Sequence, residues 1–140
     1  MLACLFFVYR MSTLFGVEID TSAPPGVRVC RLYGSLFFGA VAKLERIGEH
    51  LPSGTEAVIL EMHQLVSIDS SGLDALQQLH RNLRGQEVRL LLCALNAQPM
   101  ALVRQAEFDA VLGPENLHPD LTSALAALTV EATAAQAVDA

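Results

Sequence analysis

The chain is short of positive charge, long apolar runs, cysteine and glycine-rich phosphate loops, and each shortage excludes something. Nine Lys and Arg stand against 15 Asp and Glu, for a net charge of −6. No basic stripe is available to neutralise nucleic-acid phosphates, so nucleic acid is not an expected partner. The cations are scattered singly, without the polybasic run that docks on an anionic membrane. Met1 to Tyr9, MLACLFFVY, is continuously apolar. As a helix those residues would cover about 14 Å, less than half of a roughly 30 Å hydrocarbon core. They make a poor signal peptide, because no basic residue precedes them and no small-x-small cleavage site follows. Cys4, Cys30 and Cys93 cannot all pair, and no Cys/His spacing suits a metal. Reduced, structural thiols of a cytosolic compartment are expected. Neither G-x-x-x-x-G-K-[ST] nor G-x-G-x-x-G occurs, so nucleotide binding through those loops is unsupported and no cofactor is expected.

What is present is material for a core. At 140 residues, 52% of them hydrophobic, the chain suits one domain that folds without disulfide or metal. Gly16 to Thr21 alternates weakly and predicts a short strand. Ser22 to Gly26, with two prolines and a glycine, predicts a turn. Val27 to Tyr33, VRVCRLY, predicts a strand; Gly34-Ser35 reads as a turn and Leu36-Phe37-Phe38 as a second apolar segment. A helix from Gly39 to about Leu51 places Val41, Leu44, Ile47 and Leu51 inward. Ala57 to Leu60 and Val88 to Cys93 read as buried strands. Asn96 as cap and Pro99 in the first turn open a helix to about Ala106. Pro119 begins a last helix with Leu121, Ala124, Leu125 and Leu128 on one face. Past Thr129 the alanine-rich sequence predicts a frayed tail. Strands alternating with helices indicate parallel crossovers, the early strands supplying an antiparallel edge. The expected class is α/β: a four- to five-stranded mixed sheet with helices mainly on one face.

The most informative stretch joins the strand at Ala57 to a helix from about Ser71 to Arg84. Between them lies Ile68-Asp69-Ser70-Ser71-Gly72. Asp and Ser are preferred at helix starts because their side-chain oxygens accept the unpaired N–H groups of the first turn. Leu73, Leu76 and Leu83 then share one helical face. Two hydroxyls stand where the helix dipole is positive, a place equally suited to a cap or to a phosphate.

This strand, polar cluster and helix resemble the STAS domain, shared by bacterial anti-sigma factor antagonists and the cytoplasmic tails of SulP anion transporters. The resemblance covers about Val27 to Leu128. Arg31-Leu-Tyr-Gly-Ser-Leu-Phe-Phe38 is similar to the transporter branch, as are Ala97-Gln98 to Arg104 and Gly113-Pro-Glu-Asn116 with the helix after it. One departure is Gly39-Ala40 where transporter tails often carry Ala-Asn. The resemblance implies three parts: residues 1–26, the end of a membrane helix with a linker and first short strand; 27–128, the STAS domain; and 129–140, a flexible tail. It implies a regulatory, protein-interaction module on the cytoplasmic side of the inner membrane. Its partners would be the transporter's own membrane domain, cytosolic regulatory proteins or a second copy of the chain. A free-standing anti-sigma factor antagonist is the competing reading.

Ser70 matches the residue phosphorylated in the soluble antagonists, and Asp69, Ser70, Ser71 and Gly72 form the expected partner- or anion-binding entrance. The bland reading is that Asp69, Ser70 and Ser71 only cap the helix. Leu36, Phe37 and Phe38 are either core or an exposed interaction surface. Glu61 and Asp69 could be taken for a catalytic pair, but nothing beside them supplies a nucleophile, metal or oxyanion site, and no enzyme is expected. His50, His63, His80 and His118 are dispersed and do not suggest a metal site.

Overall fold

The computed structural model describes residues 15–139, so the Met1–Tyr9 run and Cys4 lie outside the described residues. Five strands form one sheet in the order β1-β2-β3-β4-β5. They are β1 (Phe15–Asp20), β2 (Val27–Leu36), β3 (Ala57–Ile68), β4 (Arg89–Cys93) and β5 (Leu117–His118). β1 pairs antiparallel with β2, and β2 through β5 are parallel neighbours. The helices are α1 (Val41–Glu49), α2 (Ser70–Gly85), α3 (Ala97–Gln105), α4 (Phe108–Leu112) and α5 (Leu121–Asp139), with short 3-10 turns at Phe38–Ala40 and Pro114–Asn116.

Period-two alternation in the central strands loads both faces of the sheet. Val58, Leu60 and Met62 of β3 face one cluster, with Leu44 of α1, Leu76 and Leu83 of α2, Val103 of α3 and Phe108 of α4. Ile59 of β3, Val29 and Leu91 face the other, where α5 packs Leu121, Ala124, Leu125 and Leu128. Among the described residues, four helices therefore cover one face and α5 the second. Each fully buried leucine or isoleucine here contributes about 1.5–3 kcal/mol relative to exposure. The spacing of Leu73, Ala75, Leu76, Leu79 and Leu83 puts α2's buried stripe against this core.

Several expectations are corrected by geometry. Gly34-Ser35 does not turn the chain: β2 runs on to Leu36, and the strand absorbs the glycine through register shifts between Arg31 and Tyr33 and between Gly34 and Ser35. Gly34 has φ +86, a conformation L side chains rarely adopt, so it marks a bulge rather than a reversal. β3 does not stop at Leu60 but extends to Ile68, leaving no loop before the helix. The short strand expected at Gly16 to Thr21 is present as β1, which pairs antiparallel along β2 from Phe15↔Gly34 to Asp20↔Val29. α5 starts at Leu121, with Asp120 Oδ1 accepting the Ser123 N–H at 2.7 Å. It continues to Asp139.

Candidate functional site

The C-terminal ends of β2 and β3 bring the Leu36–Phe38 segment beside the start of α2. Leu36 lies opposite Ile68, and Ser35 opposite Ser67. The Ser67 hydroxyl donates to Ser35 Oγ at 3.0 Å, and the Asp69 N–H donates to the Leu36 carbonyl at 3.2 Å. Asp69 is extended, with φ −98 and ψ −177, and its Oδ1 accepts the Gly72 N–H at 2.8 Å. Its carboxylate therefore caps α2, as the bland reading has it. Ser70, the first helical residue, is exposed, and its hydroxyl has no hydrogen-bond partner among the described residues. Capping by Asp69 leaves that hydroxyl free at the positive end of a 16-residue helix.

Gly72 is fixed by close approach. A Cβ there would stand 2.3 Å from the Leu36 carbonyl oxygen and 2.8 Å from Ile68 Cγ1. Its place at the entrance is thus structural: the strand end lies against the first turn because residue 72 has no side chain.

The three residues at the end of β2 do not act as one surface. Leu36 is wholly buried, whereas Phe37 is 43% and Phe38 80% exposed. Val66, one residue before the Ser67 that faces Ser35, is 67% exposed at the same end of the sheet. A polar helix start with a free hydroxyl thus sits beside exposed apolar groups.

Two residues of this region take roles that the sequence does not show, and the side-chain cap expected of Asn96 is not made. The Gln98 side chain acts as a surrogate strand: its Oε1 accepts the Ile68 N–H and its Nε2 donates to the Ile68 carbonyl, both at 2.9 Å. Asn96 makes no side-chain cap to α3. Instead its Nδ2 donates to the carbonyls of His63 and Leu65, each at 2.9 Å. β3 outruns its partner β4, whose pairing ends at Glu61↔Cys93, and these amides occupy its free edge. No local spacing signals this, because the partners lie some 30 residues apart.

Other groups are engaged elsewhere. Glu61 accepts the His63 N–H at 2.8 Å and lies 3.5 Å from the Arg31 guanidinium, which also binds Asp20 at 2.9 Å. Eight residues of extended chain put Glu61 and Asp69 about 26 Å apart, so they form no carboxylate pair. Burial pushes the Cys30 thiol up to about 11, with Arg28 pulling the other way. Burial likewise pushes Cys93 up to about 12, helped by Glu61 and Asp120. Among the described residues no cluster of His, Cys, Asp or Glu could hold a metal ion, and no helix is long and apolar enough to cross a membrane.

An antiparallel first strand, a parallel core and a capped helix springing from the central strand describe one known architecture, and a family model for the STAS domain matches residues 18–124. The chain belongs to the STAS domain family. It is 25% identical over 133 residues to a putative sulfate transporter, YvdB, of Bacillus subtilis, covering 87% of this chain but only 25% of that one. This chain therefore spans about a quarter of that relative's length. A SulP transporter STAS domain from Vibrio cholerae superposes with TM-score 0.70 at 20% identity, over 94% of this chain and 98% of that one. An anti-sigma factor antagonist from Mycobacterium paratuberculosis superposes with TM-score 0.68 at 21% identity, over 81% and 92%. The STAS fold is thus shared with transporter domains and antagonists alike.

Proposed function

We propose that this STAS domain is the cytoplasmic regulatory module of a SulP-type anion transporter, working through protein contacts rather than catalysis. The observation that carries the reading is the alignment to a putative sulfate transporter, which covers 87% of this chain. The exposed Phe37, Phe38 and Val66 beside the α2 entrance supply an apolar contact area for the transporter's membrane domain or a cytosolic regulator. The module then sits on the cytoplasmic side of the inner membrane. An antibody raised against this domain tests the reading. It should detect a membrane-integral polypeptide several times larger than 15.1 kDa in the native cell. A free 15.1 kDa band in the soluble fraction would overturn it.

A second reading, a free-standing anti-sigma factor antagonist, is favoured by one observation: the Ser70 hydroxyl is exposed and spared from capping. Phosphorylation there would add about −1.5 to −2 charges beside Asp69 without straining the helix, and a partner fitted to the neutral hydroxyl would be repelled. Incubation with an anti-sigma serine kinase and ATP tests it. Stoichiometric phosphate on Ser70 supports the switch, and none removes it.

A further inference from the structure

The groove between the β1–β2 edge and α1 is unrelated to the helix entrance and unlike the rest of this acidic chain. Val17 and Ile19 of β1, Cys30 of β2 and Ile47 of α1 line its apolar part, around a cavity of about 250 Å³. Arg28 of β2, Lys43 and Arg46 of α1 and His50 just past the end of α1 line the same cavity. The placement follows from two periodicities. Residues 17 and 19 project from one face of β1, 28 and 30 from the same face of β2, and 43, 46 and 47 recur at helical spacing, with residue 50 following the helix end. Three of the nine Lys and Arg in the chain thus converge where the linear sequence shows only isolated cations.

Their charge is not neutralised locally. Among the described residues Arg28 and Arg46 have no carboxylate partner, whereas Arg31, one face over, is paired with Asp20 and Glu61. Lys43 donates to the Phe15 carbonyl at 3.1 Å, which holds its ammonium at the groove without cancelling its charge. No Asp or Glu lines the cavity. Residues 1–14, which precede β1, contain no Asp or Glu and one Arg, so they bring no counter-charge. The Cys30 thiol stays protonated through burial and keeps the floor neutral.

We infer that this groove binds a small organic anion with a short apolar body, its carboxylate or phosphate held by Arg28, Arg46 and Lys43 and its body lying on Val17, Ile19 and Ile47. The volume is that of about eight water molecules at roughly 30 Å³ each, which suits one short chain or ring rather than a two-chain lipid. Cationic fixation over an apolar floor is the usual composition of a small-molecule site, with few polar groups setting orientation. The site stands apart from the proposed transporter or antagonist role and survives the failure of either.

Amide NMR titration of the 140-residue chain with sodium octanoate, octanamide and sodium phosphate, alongside co-sedimentation with phosphatidylglycerol vesicles, tests it. Octanoate should give saturable shifts at Val17, Ile19, Arg28, Cys30 and Ile47, and Arg46→Glu should weaken them about tenfold with Arg46→Lys restoring most of the loss. Arg46 is exposed on α1, so an unchanged spectrum away from the groove verifies the fold, and Arg28→Gln provides a second variant. Octanamide and phosphate should each bind about tenfold more weakly, since each lacks one half of the recognition. Equal affinity for either would overturn the inference. Absence of octanoate shifts below its micelle concentration would do the same. Arg46-dependent vesicle binding without octanoate binding would also overturn it, by making the groove a membrane-docking face.

Discussion

Gly72 and Ser70 lie two positions apart in the first turn of α2, yet the structure gives them opposite tolerances. On propensity alone, Gly72→Ala should stabilise a helix by up to about 1 kcal/mol. Here the new Cβ would meet the Leu36 carbonyl at 2.3 Å, and a backbone atom inside a sheet cannot swing aside. The clash should win, destabilising the domain by about 1–3 kcal/mol in urea unfolding. Asp69→Ala should cost about 1 kcal/mol through the lost cap to the Gly72 N–H. Ser70→Asp touches neither contact, so its urea midpoint should correspond to a change within about 0.5 kcal/mol. A large loss of stability there would refute the free-hydroxyl geometry. His80 adds a pH dependence. Burial first, and then Arg84 and Arg81, hold its imidazole below the ordinary 6.5, and its ring meets Phe108 edge-on. The folded state resists protonation more than the unfolded chain does. His80's contribution is therefore full above the unfolded pKa and declines as pH falls from there towards the lower folded value. Urea midpoints at about pH 7.5 and about pH 5.5 should differ more in the natural protein than in His80→Gln.

Among the elements, β3 shows what sequence patterning reveals and what it cannot. Its first four residues, Ala57 to Leu60, are apolar and buried on both faces, so they read as a strand at once. Its second half carries Glu61, His63, Gln64 and Ser67, which dilute the apolar signal and hide the extension to Ile68. That half persists because β2 pairs with one side of it and the amides of Asn96 and Gln98 with the other. Both are long-range contacts, invisible to local periodicity. Gly34 misled in a related way: glycine marks a special backbone angle, and a bulge and a turn use it equally. The helix entrance was legible because capping chemistry is local, and Asp69 does what its residue type predicts. Gln98→Ala should leave the buried Ile68 N–H and carbonyl short of partners, costing about 1–3 kcal/mol. Hydrogen exchange should show the Ile68 amide losing protection while Ile59, deep in the ladder, keeps most of its own.

For the whole molecule, the α/β class and the mixed sheet were readable because strands and amphipathic helices alternate along the chain. The basic groove was not readable, since its cations come from β2 and α1 and meet only after α1 packs on the β1–β2 edge of the sheet. Cys30 and Cys93 belong to this scale as well, for they sit in the two opposite faces of the core. In a Cys4→Ser variant, neither remaining thiol should react with a disulfide reagent at mild alkaline pH until the protein unfolds, and both should then react together. Reaction of either thiol in the native state would contradict their burial.

The pairing of Phe15 with Gly34 has one more consequence. It places the first residue of β1 at the end of the sheet that carries Phe37, Phe38 and Ser70. A contact surface borne on polypeptide preceding Phe15 would therefore be tethered beside that end, at an effective concentration in the millimolar range for a short flexible link. Under the transporter reading, a contact too weak to survive dilution would be nearly saturated in the intact chain. Mixing the separated domains would then underestimate it, and modification of Ser70 would need to offset only a small free energy to release the tethered surface.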